Sequence, residues 1–237
     1  MSTLFPLTVR AALSRRRGKT LVGPLDLDWN GKGTCVVLGP NGSGKTSLLR
    51  MLHGIARLNS GEITWACDTP SARNAQAFVF QRPVMLRRSV LENLIFPLAI
   101  RGSANGPAKE HARSWAERVG LSPFLESPAH VLSGGEQQKL AIARALICAP
   151  ELVFLDEPTA SLDGRATREI ETILQEVGAE GTRLILATHN LGQAQRLGEK
   201  VVFLLHGKVH ESGSAKAFFD GPQTPEAQAF LRGDIVE

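Results

Sequence analysis

The sequence predicts an α/β fold with a mainly parallel sheet, and three observations support this prediction. Apolar runs at 34–38, 151–155 and 183–187 alternate along the chain with amphipathic runs of helical period. A glycine-rich loop joins the first run to a helix, and two carboxylates, Asp156 and Glu157, follow the second. Alternating strands and helices form right-handed crossovers, so polar groups that follow the strands meet at one edge of the sheet.

Composition sets the limits of this fold. With 237 residues, of which 43% are hydrophobic, the chain can form one large α/β domain or a core with a subdomain. Cys35, Cys67 and Cys148 lie far apart and have no metal-binding spacing, which suits a reducing cytoplasm. The N-terminus lacks the pattern of a signal peptide, and no apolar run approaches the roughly 20 residues of a membrane span. Any membrane role would therefore come through a partner.

The chain is basic, with a net charge of +4 and a pI near 9.2. Its densest basic cluster comprises Arg15, Arg16, Arg17 and Lys19, which could suggest a nucleic-acid partner. This cluster is short, and no recognition module with interleaved aromatic residues accompanies it. We therefore expect no nucleic-acid partner.

The N-terminal part predicts an antiparallel β subdomain. Strands are expected at 4–13 and 25–29, joined by a basic turn around Gly18, with two more short strands at 61–65 and 77–80.

The loop between the strand at 34–38 and the next helix matches the phosphate-binding pattern G-x-x-x-x-G-K-[ST]. Its residues are Gly39, Pro40, Asn41, Gly42, Ser43, Gly44, Lys45 and Thr46. The glycines let backbone N–H groups and the helix N-terminus face the phosphates. Lys45 would add a positive charge near the β- and γ-phosphates, and the Thr46 hydroxyl would bind Mg²⁺. An ordinary glycine-rich turn with a surface lysine is the alternative, but the strand and helix on either side favour a nucleotide site.

Strand-like patterns stop between residues 82 and 132. Helices are expected at 90–96 and 109–119, with a loop at 101–107 between them. We predict one domain over residues 1–237, in which 1–81 and 133–237 form a catalytic core and 82–132 form an inserted helical subdomain.

The second half of the core begins at Ser133. Ser133 and Glu136 have the spacing of a capping box that opens a helix running to Ile147. The strand at 151–155, a helix over 166–177 and the strand at 183–187 follow. A hairpin of strands 201–205 and 208–212 turns around Gly207, and weakly apolar helices complete the chain.

Three polar residues follow strands that end at the same edge as the phosphate loop. Asp156 is suited to hold Mg²⁺, directly or through water, and Glu157 can orient or deprotonate a water that attacks the γ-phosphate. His189 follows the strand at 183–187 and could contact the γ-phosphate, although such a histidine is often only structural. Solvated acids at a strand end are the alternative for the two carboxylates.

Residues 132–139, Leu-Ser-Gly-Gly-Glu-Gln-Gln-Lys, resemble the signature motif of ATP-binding cassette (ABC) ATPases. The resemblance implies a P-loop NTPase (RecA-like) core that binds ATP and Mg²⁺. It also implies a head-to-tail homodimer in which Ser133, Gly134 and Gly135 close over the γ-phosphate of ATP bound to the other copy. The motifs that complete the resemblance occur in the family's order. They are Gln81 in the Q-loop, Asp156 and Glu157 as the metal and water carboxylates, Asp163 in the D-loop, and His189 as the switch histidine. The resemblance also implies that Gln81 binds the metal.

Two positions depart from the family pattern. The family commonly stacks adenine on an aromatic residue near the first strand, whereas this chain has no Tyr and offers arginines around 13–17, whose guanidinium planes can also stack on a base. Asn190 follows the switch histidine, where acidic residues are common. The selectivity for the nucleotide base therefore stays open. Because Glu157 and the signature glycines are present, we expect the chain to be a competent ATPase.

A single cassette without a membrane span resembles the ATP-binding subunit of a bacterial importer. The resemblance implies a separate permease, a periplasmic or extracellular substrate-binding protein, and a peripheral position on the cytoplasmic face of the inner membrane. The runs 80–90 and 188–194 look most like tungstate-import cassettes, with phosphate and molybdate cassettes next. The short C-terminal tail leaves no room for an added oxyanion-binding domain.

Other classes fit the sequence less well. A GTP switch would need an Asn-Lys-x-Asp motif, which is absent, and a small-molecule kinase would not need the signature motif. A DNA-repair or translation ATPase of the same superfamily is the main rival, but these usually carry a coiled-coil insertion or two cassettes.

Overall fold

The computed structural model describes residues 4–234, so the predicted domain limits at 1 and 237 lie outside the described residues. Its strands are β1 Leu7–Arg16, β2 Lys19–Trp29, β3 Thr34–Leu38, β4 Ser60–Thr64, β5 Gln76–Val79, β6 Leu152–Asp156, β7 Arg183–Thr188, β8 Lys200–Leu205 and β9 Lys208–Ser214. Its helices are α1 Lys45–His53, α2 Thr69–Asn74, α3 Val90–Ile100, α4 Asn105–Arg118, α5 Gly134–Leu146, α6 Gly164–Ala179, α7 Leu191–Leu197, α8 Ala215–Asp220 and α9 Pro225–Arg232.

The strands form two sheets. The larger has the order β5-β6-β7-β3-β8-β9 and is parallel except for the β8–β9 hairpin. The smaller is antiparallel, with the order β2-β1-β4. The predicted fold class, a parallel-sheet P-loop NTPase core with an N-terminal antiparallel sheet and a group of helices, is therefore confirmed.

The large sheet separates two hydrophobic clusters. Successive side chains of a strand point to opposite faces, so Cys35 and Val37 of β3 pack against α1 and the small sheet, whereas Val36 and Leu38 pack against α5, α6 and α7. Because both faces are covered, β3 and β6 are buried along their whole length. This burial explains the unbroken apolar runs from which these strands were predicted.

The first hairpin is longer and tighter than the sequence suggested. β1 continues through Arg16, and β2 starts at Lys19, so a two-residue turn of Arg17 (φ 50°) and Gly18 (φ 78°) joins them. Positive φ at both positions suits the right-handed twist of the strands. The prediction placed the basic residues in the turn, but most of them lie in the two strands. The sequence did not indicate this, because side chains at an exposed hairpin tip follow no hydrophobic pattern.

The helices between β5 and α5 also differ from their predicted ends. Helix α3 continues through Pro97 to Ile100, since buried Leu98 packs into the core. Helix α4 starts at Asn105 rather than 109, with Pro107 in its first turn, where a missing N–H is tolerated. Helix α2 was not predicted. The subdomain boundaries at 81/82 and 132/133 stay a prediction. Among residues 4–234, no helix has both the length and the apolar character needed to cross a bilayer.

Candidate functional site

The phosphate loop lies where β3 ends and α1 begins, as predicted. Gly39 has φ 152° and lies so close to β8 that a Cβ on it would stand 2.2 Å from the carbonyl oxygen of Leu204. Only glycine fits there. Gly44 precedes α1 in a left-handed conformation, at φ 104°. The loop therefore curls around the N-terminus of α1, which is the geometry of an anion site.

Lys45 is almost fully buried beneath this loop. Its Nζ donates to the carbonyl oxygens of Gly39, at 2.9 Å, and Pro40, at 3.2 Å, and lies 3.6 Å from Glu157 Oε1. Burial lowers the pKa of Lys45, and the charge of Glu157 opposes this shift. The ammonium group is thus fixed beneath the loop. The Ser43 hydroxyl is buried there without a hydrogen-bond partner, as expected of a group that faces a phosphate ligand.

Asp156 is buried next to Thr46, which follows Lys45 in the phosphate loop. Thr46 Oγ1 donates to Asp156 Oδ1 at 2.7 Å. Asp156 is 1% exposed, and burial raises its pKa, although the hydrogen bond from Thr46 opposes the increase. A hydroxyl beside a buried carboxylate is a donor set that suits Mg²⁺, which prefers hard oxygen ligands and keeps several waters. Within the described residues, no group of three or more His, Cys, Asp and Glu side chains could hold a metal ion.

Glu157 and His189 come together at the ends of β6 and β7. His189 Nδ1 lies 2.9 Å from Glu157 Oε1. Glu157 has φ 49°, an unfavourable value for a non-glycine residue, and its N–H donates to the carbonyl of Ala187 at 2.9 Å. Strain of this kind persists only where the surroundings fix it, and it often marks functional sites. The side chain of His189 is half exposed, so the pair meets the solvent at the cleft.

One cleft of about 730 Å³ is lined by half of the predicted site residues. Residues from the phosphate loop, Gln81 after β5, Glu157 and His189 all line it. The sequence did not predict its remaining lining groups, which include Lys19, Thr20 and Leu21 of β2 and Thr159 after β6. The arginines at 15–17, raised as a possible adenine platform, do not line this cleft. A strand residue that reaches a cleft from a second sheet leaves no local pattern that could predict it.

The signature residues lie in a different cleft. Ser133, Gly135, Glu136 and Asp163 line a second cavity of about 690 Å³, which shares no lining residue with the first. The predicted capping box is present: Glu136 N–H donates to Ser133 Oγ at 3.4 Å, and Ser133 N–H donates to Glu136 Oε2 at 2.8 Å. The Ser133 hydroxyl also donates to Glu136, which lowers the pKa of that carboxyl.

Asp163 has a structural contact that the sequence reading did not predict. It caps α6, because its Oδ1 accepts from the N–H groups of Arg165, at 2.9 Å, and Ala166, at 2.8 Å. Gly135 packs against the same helix, since a Cβ on it would lie 3.0 Å from Ala166 Cβ. The starts of α5 and α6 therefore form one rigid surface.

The fold and the first cleft define a P-loop nucleotide-binding protein. Comparison with known proteins narrows this class: the family described as ABC transporter matches residues 22–160, and the chain belongs to that family. It is an ABC ATPase that hydrolyses ATP with Mg²⁺, and it is the ATP-binding subunit of an ABC importer.

Several relatives are importer subunits. The ATP-binding protein of the L-cystine transport system of Escherichia coli (strain K12) is 32% identical, over 98% of this chain and 99% of that protein. The glutamate/aspartate import ATP-binding protein of the same strain is 35% identical, over 83% of this chain and 86% of its own length. The tungstate uptake ATP-binding protein of Peptoclostridium acidaminophilum is 37% identical, over 77% of this chain and 85% of that protein.

A solved structure has the same fold. It is the dimeric structure of a post-hydrolysis state of an ATP-binding cassette bound to ADP and Pi, with a TM-score of 0.79 and 25% sequence identity. The match covers 88% of this chain and 98% of the solved one.

Proposed function

We propose that two copies of this chain assemble head to tail and hydrolyse ATP at composite sites, each built from the first cleft of one copy and the signature cleft of the other. The observation that carries this proposal is the separation of the two clefts in the monomer, since Ser133 and Asp163 line a surface that Lys45 does not. The solved cassette in the comparison is itself dimeric. In this scheme Ser133, Gly134 and Gly135 complete the phosphate site of the partner copy, and Asp163 lies beside them.

The residues of the first cleft have separate roles in this proposal. Backbone N–H groups of the phosphate loop and the Lys45 ammonium bind the β- and γ-phosphates. Thr46, Asp156 and Gln81 would hold Mg²⁺, and the bound ion would offset charge on the phosphates.

Glu157 orients or deprotonates the attacking water, and His189 fixes the Glu157 carboxylate through the 2.9 Å contact. His189 is half exposed on the cleft side and could also contact the γ-phosphate.

The test is Glu157→Gln. The amide keeps the shape of the carboxylate but cannot accept a proton, so turnover should fall by about 100-fold or more while ATP binding persists. We expect this variant to form an ATP-stabilised dimer, measured by light scattering with and without MgATP. Glu62→Gln, an exposed substitution on β4, is the matched control and should hydrolyse ATP like the wild type. Wild-type turnover in Glu157→Gln would refute the role of Glu157.

For the cargo, we propose tungstate or a related oxyanion. The resemblance of residues 80–90 and 188–194 to tungstate cassettes supports this, as does the tungstate relative. An amino-acid cargo is the second candidate, because the cystine relative matches over almost the whole chain. The oxyanion or amino acid would bind the substrate-binding protein and cross the permease, so none of the described residues needs to contact it.

The permease would dock beside the Q-loop, at the cytoplasmic face of the inner membrane. Val84 is 68% exposed there, and Met85, Arg87 and Arg88 line an adjoining groove of about 680 Å³. An exposed apolar residue with flanking cations suits a helix from a membrane partner.

Co-purification and uptake test both proposals. Capture of the tagged chain should recover a permease, and Val84→Asp should reduce that recovery without changing ATP hydrolysis by the isolated chain. Uptake by vesicles with the permease and its binding protein should then be measured with tungstate and with cystine.

A further inference from the structure

Gln193 is a fully buried amide on α7 that bridges two other segments of the core. Its Nε2 donates to Thr159 Oγ1 at 2.9 Å and to Glu171 Oε1 at 3.4 Å. A carboxylate only accepts hydrogen bonds, so the amide nitrogen must face Glu171, and this contact fixes the orientation of the amide. Gln193 therefore joins the loop after β6, helix α6 and helix α7.

The carboxylate that receives this bond is held in place from its other side. Glu171 is buried, and Arg196 donates to it through Nε at 2.7 Å and through a terminal nitrogen at 2.8 Å. A bidentate arginine pair of this kind is strong and directional. The start of α7 is held as well, since the Gln193 N–H donates to Asn190 Oδ1 at 3.0 Å. Gln193 is thus bonded through both its side chain and its backbone.

The segments that Gln193 joins are the ones that carry the reacting groups. Thr159 lies two residues after Glu157, and Gln193 lies four residues after His189. Any shift of α7 relative to this loop would change the 2.9 Å contact between His189 Nδ1 and Glu157 Oε1. Displacements of about 1 Å at a catalytic group can cost about 100-fold in rate.

We propose that Gln193 is a positioning residue for ATP hydrolysis. It holds helix α7, which follows His189 in the chain, against the loop that follows Glu157. This inference rests on the proposed roles of Glu157 and His189. Gln193 lines no part of the nucleotide cleft, so it acts through these two residues and not on the nucleotide.

The first test is Gln193→Met in the full-length chain. Methionine keeps the length and fills the same volume, but it cannot donate to Thr159 or Glu171. We expect kcat for MgATP to fall by about 10- to 100-fold, with KM for ATP within about threefold of the wild type. A residue needed only for stability would lower the melting temperature and leave kcat of the folded protein unchanged, and that result would overturn the inference.

The second test exchanges the charges. Gln193→Glu would set two carboxylates against each other at the 3.4 Å contact, so kcat should fall further than in Gln193→Met. In the double variant Glu171→Gln/Gln193→Glu, the amide of residue 171 can donate to the new carboxylate. We expect kcat of this double variant to exceed that of Gln193→Glu but to stay below the wild type, because residue 171 can then accept only one of the two bonds from Arg196. A double variant no better than Gln193→Glu would overturn the inference.

Two further variants keep the outcome interpretable. Ala194→Gly loosens α7 at a buried neighbour but keeps the Gln193 bridge, and it should retain kcat within about twofold. Gln193→Leu also removes the amide but fills a similar volume, and it replaces Gln193→Met if the latter does not fold. Wild-type kcat in the folded bridge variants would overturn this inference and leave the proposed function standing, whereas a wild-type chain without ATPase activity would overturn both.

Discussion

In the first cleft, two side chains approach the same atom, Glu157 Oε1. It lies 2.9 Å from His189 Nδ1 and 3.6 Å from Lys45 Nζ, on a residue that is 8% exposed. A buried carboxylate needs such partners, because an unpaired charge away from water is costly. The same requirement explains why Asp156 accepts from Thr46. At the residue scale, burial and neighbouring hydrogen-bond donors therefore orient the carboxylate oxygens of Asp156 and Glu157.

Asp156→Asn tests the metal assignment. The amide keeps the shape and can still accept from Thr46, but it loses the charge that attracts Mg²⁺. We expect the Mg²⁺ concentration for half-maximal ATPase activity to rise by about tenfold or more. ATP titrations without Mg²⁺ should give an affinity within about twofold of the wild type. The matched control is Asp28→Asn, at an exposed position of β2. An unchanged Mg²⁺ requirement in Asp156→Asn would contradict the assignment.

The same variant makes a prediction about stability. Burial raises the pKa of Asp156 above its ordinary value of 3.8, so the folded state holds the proton more tightly than the unfolded state. The resulting penalty is absent below pH 3.8, grows as the pH rises through the raised pKa, and is complete above it. Asp156→Asn should therefore melt at a higher temperature than the wild type at pH 7 in EDTA, and the difference should narrow towards pH 3.8. A lower melting temperature at pH 7 would contradict this reading.

At the scale of elements, capping boxes define where two functional helices begin. Ser89 and Glu92 open α3 beside the proposed docking groove, and Ser133 and Glu136 open α5 at the signature cleft. In each box a serine hydroxyl and a glutamate carboxylate satisfy backbone N–H groups that the helix leaves unpaired. The two surfaces proposed for contact with other chains are therefore built at helix starts that the capping boxes hold in place.

Glu92→Ala tests how far the first box stabilises the fold. The backbone N–H of Ser89 lowers the pKa of Glu92 below its ordinary value of 4.5. The ionised carboxylate therefore adds stability above pH 4.5, and this stability is lost as the pH falls through the lowered pKa. We expect Glu92→Ala to melt below the wild type at pH 7, with a gap that shrinks below pH 4.5. Glu110→Ala, at an exposed position of α4, should show no such gap. A gap in Glu92→Ala that does not depend on pH would refute the argument.

At the scale of the whole molecule, the residues of the two proposed half-sites line different clefts of one copy. Lys45, Thr46 and Glu157 line one cleft, and Ser133 and Asp163 line the other. A closed dimer with two-fold symmetry would place each half-site against its complement and form two equal sites.

Mixing inactive variants tests this arrangement. Lys45→Ala disables the first half-site and Ser133→Glu disables the second, so each homodimer should be inactive. A mixed dimer retains one intact composite site, and an equal mixture should regain up to about a quarter of wild-type ATPase activity. Lys45→Ala mixed with Glu157→Gln should not recover, because both changes lie in the same half-site. Equal activity in the two mixtures would exclude composite sites.

The sequence predicted the motif-bearing parts of the site more reliably than the ends of its elements. The phosphate loop, Asp156, Glu157 and the Ser133 capping box follow local rules of spacing and periodicity, and the structure has them at the predicted positions. The ends of β1, α3 and α4 differed, because Leu98 and the tight Arg17–Gly18 turn depend on packing and strand pairing. Tertiary contacts outweigh local propensity at such places.

By itself, the sequence determined the α/β class and the position of the phosphate loop, since each depends on residue types at short, fixed spacing; the residues that bind the nucleotide stay a prediction. Only the tertiary structure decided that Lys19 lines the first cleft and that Ser133 lines the signature cleft. It also decided that Gln193 joins the segments that follow Glu157 and His189. The physical reason is that these contacts join residues distant in the chain, and their geometry is fixed by sheet order and helix packing, which no local pattern records.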